Sequence, residues 1–256
     1  MKCYYVYESG SELISEDKAF ATGCVELMFN LEGVQWETKE NNQFVATPKT
    51  ELWGQIIQPL AFRTPGKNRM FGIRLYPYAA SVFLNENISL FNNKVTDLSG
   101  IIGQPVQELH NRLLDAESTR QQIELVESFL LKRVSQFTAK LEKVTLVQKV
   151  MSEMKQESFF DNIANVAAKY GITSRYLQKI FINYTGLTPK LYGKINRFQN
   201  SLVLLAKQNS SLTSVAYECG YFDQSHFIRE FKSFTGVAPS AFSIEHSSAI
   251  LASPNK

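Results

Sequence analysis

A chain of 256 residues, 44% apolar and 20% charged, has room for two domains with packed cores, which excludes a disordered chain. It has no run of 18 uncharged apolar residues, no leader pattern at Met1-Lys2-Cys3-Tyr4-Tyr5 and no CxxC among Cys3, Cys24 and Cys219, so the expectation is a cytoplasmic, reduced protein without a membrane partner or structural zinc. The net charge of +3 is uneven: residues 151–256 carry 11 Lys and Arg against 7 Asp and Glu, the remainder 16 against 17, which puts the basic excess where a phosphate-facing surface would need it.

From residue 23 to 75, short apolar runs such as Val25-Glu26-Leu27-Met28-Phe29, Gln43-Phe44-Val45-Ala46 and Phe71-Gly72-Ile73-Arg74-Leu75 alternate with Gly, Asn and Pro clusters, a strand-rich pattern. Beyond Pro77 the period changes. Val106, Leu109 and Leu113, then Ile123, Val126, Leu130 and Val134, recur at three- and four-residue steps and predict two amphipathic helices. These either pair between two copies, giving a homodimer, or cap the β-core of one chain; periodicity does not separate the two. Residues 135–138 read as a break, which divides the chain into 1–135 and 139–256.

The last hundred residues contain a repeat. Residues 163–171, Ile-Ala-Asn-Val-Ala-Ala-Lys-Tyr-Gly, match 212–220, Leu-Thr-Ser-Val-Ala-Tyr-Glu-Cys-Gly, at an offset of 49. The offset then becomes 50, pairing Leu177, Phe181, Thr185, Gly186 and Pro189 with Phe227, Phe231, Thr235, Gly236 and Pro239, so the second copy holds one extra residue in the turn after its glycine. Each copy, about 159–185 and 209–236, reads as a helix-turn-helix: Gly171 and Gly220 supply the positive φ of a tight turn, and Ser174 and Asp223 are the expected N-caps. The second helices, about 174–184 and 223–234, bury Leu177, Ile180 and Phe181, and Phe227, Phe231 and Phe234, so Phe181 and Phe231 should be structural. They turn out Arg175, Gln178 and Lys179, and Gln224, Ser225, His226 and Arg229, side chains able to read base edges or bond phosphates. Between the copies, Leu191, Ile195, Phe198, Leu202 and Leu205 mark a helix over 189–207, roughly 28 Å long at about 1.5 Å per residue.

Residues 159 to 242 resemble the AraC/XylS family of transcription regulators, most specifically at 216–232, Ala-Tyr-Glu-Cys-Gly-Tyr-Phe-Asp-Gln-Ser-His-Phe-Ile-Arg-Glu-Phe-Lys, and at 235–240, Thr-Gly-Val-Ala-Pro-Ser. The resemblance implies an all-α domain of two helix-turn-helix units joined by a long helix, double-stranded DNA and RNA polymerase as partners, and activator function. It assigns DNA contacts to Ser174, Arg175, Gln178, Lys179, Gln224, Ser225, His226, Arg229 and Lys232. Ser243 stands after Phe242 where the family commonly carries a basic residue, so no phosphate contact is assigned there. Residues 1–135 resemble the β-barrel-plus-helices regulatory domains found ahead of this module, and Gly72-Ile73-Arg74-Leu75-Tyr76-Pro77 resembles a GxRFxP element of some members, which makes the whole chain α+β with a barrel-like N-terminal domain.

Two readings of that first domain stay open. One is a pocket for a small organic or anionic effector, with Trp36, Trp53, Arg63, Arg69, Arg74 and Tyr76 as candidate contacts; the other is a protein-interaction module without a ligand. An enzyme is not expected: His110, His226 and His246 lie outside the strands, no nucleophile or phosphate-binding motif occurs, and neither a cofactor nor a metal is implied.

Overall fold

The computed structural model describes residues 1–10, 12–64, 66–136, 141–154, 163–207 and 211–242. The outer ends of the two expected repeat units (159–162 and 209–210), positions 137–138 of the expected break, Ser243 and His246 lie outside the described residues.

Among the described residues, nine strands make two separate sheets rather than a closed barrel. Cys3–Ser9 (β1), Asn68–Leu75 (β8), Val25–Gly33 (β3), Thr50–Trp53 (β6) and Val95–Asp97 (β9) form one antiparallel sheet in the order β1-β8-β3-β6-β9. Ser15–Ala19 (β2), Leu60–Thr64 (β7), Glu37–Glu40 (β4) and Gln43–Ala46 (β5) form the other. The larger sheet is covered on both faces, and the two-residue period of its strands sorts every side chain. Leu27, Phe29, Phe71, Ile73 and Leu52 pack under the helices, whereas Met28, Met70 and Trp53 face the smaller sheet together with Trp36 and Phe62.

The expected helices are Gln104–Leu114 (α3) and Thr119–Val134 (α4); Pro77–Leu84 (α1) and the short Leu98–Ile102 (α2) precede them. Val106, Leu109, Leu113 and Val126 are buried against the chain's own sheet, so these stripes are used within one chain and no longer argue for pairing. His110, on α3, bonds the Asn30 carbonyl oxygen at 2.6 Å and is a core histidine.

The second core is helical. Leu141–Glu153 (α5), Ile163–Lys169 (α6), Ser174–Thr185 (α7), Pro189–Ala206 (α8), Leu212–Glu218 (α9) and Gln224–Thr235 (α10) gather around Phe181, Phe198, Phe227 and Phe231, all fully buried. Phe20 and Ala21, from the loop between β2 and β3, belong to this core as well. The two halves are bonded to each other: Gln55 Nε2 donates to the Thr185 carbonyl at 2.7 Å, Asn92 Nδ2 to the Gly186 carbonyl at 2.8 Å and Gln199 Nε2 to the Ala21 carbonyl at 2.6 Å.

Candidate nucleic-acid interface and candidate ligand cavity

The two helical repeats fold alike down to single hydrogen bonds. Gly171 and Gly220 adopt φ of 64° and 74°, a region L side chains seldom enter, and the turns close through Ile172 N–H on the Ala167 carbonyl (3.0 Å) and Tyr221 N–H on the Ala216 carbonyl (2.9 Å). One cap differs from the sequence expectation. Thr173, not Ser174, is the N-cap of α7, its hydroxyl accepting from Tyr176 N–H at 3.2 Å, while Asp223 caps α10 by accepting from His226 N–H at 2.6 Å. The extra residue of the second turn lies before the cap, so Thr173 pairs with Asp223 at offset 50; Ser174 is the first helical residue and half-buried.

Arg175, Gln178 and Lys179 stand exposed on α7, as do Ser225, Arg229 and Lys232 on α10. Gln224 is half-buried and accepts from the Thr213 hydroxyl at 2.8 Å; His226 is half-buried beside the Tyr221 ring, with Nε2 3.8 Å from Glu230. Bonding of the first half's side chains to the end of α7 leaves its Arg175, Gln178 and Lys179 face open.

Two residues the sequence did not single out hold α10 in place. Glu230, with only 2% of its side chain exposed, takes two hydrogen bonds of 3.3 Å and one of 3.1 Å from the Arg197 guanidinium of α8, and Lys194 stands 3.5 Å away. The guanidinium also lies 5.1 Å over the Tyr221 ring. A glutamate on an amphipathic helix ordinarily reads as solvated, so nothing in the pattern marks it.

Between the sheets lies a cavity of about 200 Å³, lined largely by aromatic and apolar side chains including Trp36, Trp53, Phe62, Met28 and Ile56. Its polar end follows from strand register. Glu26 pairs across the sheet with Arg74 on one side and Trp53 on the other, and all three point inward. Arg74 Nη2 sits 2.9 Å from Glu26, whose second oxygen accepts from the Tyr5 hydroxyl. Tyr5 stands opposite Gly72, where an added Cβ would fall 2.1 Å from the ring; the glycine of the GxRFxP-like element makes room for Tyr5, and its arginine balances Glu26. Behind the cavity-lining Trp53, Glu51 accepts from the Thr47 hydroxyl and from the Trp53 indole N–H, and burial pushes its carboxyl up to about 7.

Of the candidate ligand contacts, Trp36, Trp53 and Arg74 line this cavity, together with Tyr5 and Glu26, which the sequence did not single out. Tyr76 lines a different, more polar cavity of about 250 Å³ with Tyr192 and Asn196. Arg63 and Arg69 belong to neither. In β7, Phe62 points inward and Arg63 outward, where it pairs with Glu16 at 3.0 Å and covers Phe44 at 3.6 Å; Arg69 pairs with Glu8 at 2.9 Å. Among the described residues no cluster of His, Cys, Asp and Glu could hold a metal ion, and no helix is long and apolar enough to cross a membrane.

Comparison with known proteins matches residues 166–243 to a helix-turn-helix domain and residues 1–97 to a domain of unknown function, DUF6597. The uncharacterized HTH-type transcriptional regulator YidL of Escherichia coli is 39% identical over 80 residues, 31% of this chain and 27% of that protein. The HTH-type transcriptional activator RhaS of Escherichia coli is 27% identical over 134 residues, 52% of this chain and 48% of that protein. This chain therefore spans less than half the length of either curated relative. ToxT from Vibrio cholerae has the same fold across both halves, with a TM-score of 0.50, 15% identity and coverage of 96% of this chain and 98% of that one; a ToxT structure with a bound unsaturated fatty acid aligns with the same score at 14% identity, covering 96% and 95%. These relatives are transcription regulators, not enzymes.

Proposed function

Because its C-terminal half places this chain in the AraC family of transcriptional regulators, we propose that it is a cytoplasmic, sequence-specific DNA-binding regulator that reads double-stranded DNA with α7 and α10. The division at 135–139 belongs to the proposal, as do RNA polymerase and a second copy of the chain as partners in activation. One observation carries it: two units with the same turn and cap geometry present basic side chains on the exposed faces of their second helices, joined by the amide of Gln178 on the first. The 18 residues of α8, roughly 27 Å at about 1.5 Å each, separate the units by a distance suited to successive major-groove windows about 34 Å apart. Selection of the full chain on randomised duplexes should return two half-sites about one helical turn apart. Arg229→Ala or Gln178→Ala should weaken the selected site by about 1–3 kcal/mol and random DNA much less. Equal losses on both sequences would show that these residues are not base readers.

The cavity favours effector control of this regulator over a pure interaction module. Its charges are already balanced, since Arg74 and Glu26 face each other, and the rest of the lining is mostly aromatic and apolar, which suits a small, neutral, largely aromatic molecule. Phe20 touches both this cavity and the helical core, with its ring 5.5 Å from Phe242, itself 5.2 Å from Phe231 of α10, so an occupant would contact a residue packed on the second recognition unit. A ligand of this class at a hundredfold excess over its Kd should stabilise the protein by about 2.7 kcal/mol in thermal-shift measurements, and Met28→Trp should abolish the effect by filling the space. Stabilisation by long-chain carboxylates alone would overturn the ligand class, and stabilisation by no member of a broad panel would favour the interaction module.

A further inference from the structure

Phe222 is 87% exposed, beyond any other large apolar side chain among the described residues. Its position follows from the one irregularity of the repeat. Both turns bury the residue after their glycine, Ile172 partly and Tyr221 almost wholly, and both then place a capping side chain, Thr173 and Asp223. In the first unit these positions are adjacent; in the second, Phe222 stands between them. The core position is taken by Tyr221 and the cap by Asp223, so the extra ring has nowhere to go but outward, immediately before the first turn of α10. A phenylalanine left in water there contributes nothing to packing, and any polar residue would serve the turn as well.

The N-terminal turn of a recognition helix is the part that meets base edges, and an apolar ring there complements the one apolar group the major groove offers, the thymine methyl. Resting on the proposed DNA-binding reading, we propose that Phe222 is a specificity-determining contact that selects thymine at one position of the half-site read by α10. The first unit, which lacks the extra residue, has no equivalent contact.

The test uses the full chain and its Phe222→Ala variant, which should fold normally because the ring is almost wholly exposed. Selection on randomised duplexes should give a thymine in one half-site for the parent that the variant no longer enriches. Replacing that thymine by uracil, which lacks only the methyl group, should weaken the parent about three- to tenfold and leave the variant unchanged. An identical consensus and affinity for both proteins overturns the assignment and leaves the ring to a protein partner. If the parent itself enriches no sequence, the DNA-binding reading fails and this inference with it.

Discussion

Glu230→Ala should lower the stability of the helical half by about 3–5 kcal/mol, because it leaves the Arg197 guanidinium buried without its carboxylate. The loss is asymmetric: one surviving charge in a dry site is far worse than none. Replacing both partners together, as in Arg197→Met with Glu230→Leu, should therefore recover most of the loss, and the double-mutant cycle should show strong coupling in urea denaturation. A single-mutant loss below about 1 kcal/mol would mean that solvent serves the Arg197 guanidinium as well as the carboxylate does. The pair joins α8 to α10, so Glu230→Ala should also weaken selected and random DNA alike, unlike Arg229→Ala, which alters an exposed side chain. The contrast separates a residue that orients the recognition helix from one that reads bases.

Glu230 also shows where sequence reading stops. The repeat was legible because its constraints are local: a glycine at positive φ, a cap three residues before the backbone N–H it serves, and apolar residues every three or four positions. Even there, the slip from Thr173 to Ser174 arose from pairing the caps at the offset of 49, although the extra residue of the turn lies before them and makes it 50. Groups buried through tertiary pairing left no such trace. Arg74 and Arg63 are both arginines on strands, yet the phase of each strand sends one to the interior and the other to the surface, and phase is visible only when the inner face is apolar. On the inner face of the larger sheet, Tyr5, Glu26, Glu51 and Arg74 interrupt the apolar pattern, so the cavity was least visible at its polar end. The strands β1, β2 and β9 escaped for a related reason: they lie at sheet edges and carry mixed or polar residues such as Ser-Glu-Asp-Lys-Ala.

The other polar group of that face gives the second large effect. Glu51 is buried beside Thr47 and Trp53, and its carboxyl is raised by desolvation to about 7 against the opposing hydrogen bonds. The geometry suits a neutral acid. Thr47 Oγ1 lies between Glu51 Oε1 and the Trp36 carbonyl oxygen, 3.1 Å away, and a threonine has one proton for two acceptors. Thr47 therefore donates to the ionised carboxylate or to Trp36 but not to both at once, whereas the O–H of a protonated Glu51 would leave the threonine proton to Trp36, with Glu51 Oε2 still accepting from Trp53. Since the folded pKa lies above the unfolded value, the native state holds the proton longer, and stability falls as pH rises from the ordinary carboxylate range towards 7. Below that range the penalty is absent; above 7 it is complete. Glu51→Gln reproduces the neutral acid, its amide donating to Thr47 and its carbonyl accepting from Trp53. Denaturation at pH 5 and pH 8 should therefore show the parent losing about 2–3 kcal/mol more than Glu51→Gln across that interval. Comparison with the parent cancels the titration of other groups, and Tyr5, held well above its ordinary value by burial and by Glu26, stays neutral throughout. Parallel profiles for the two proteins would show that Glu51 ionises in the fold as freely as in the unfolded chain. A slope confined to the parent would mean that above pH 7 a buried negative charge lies behind the Trp53 indole that lines the cavity.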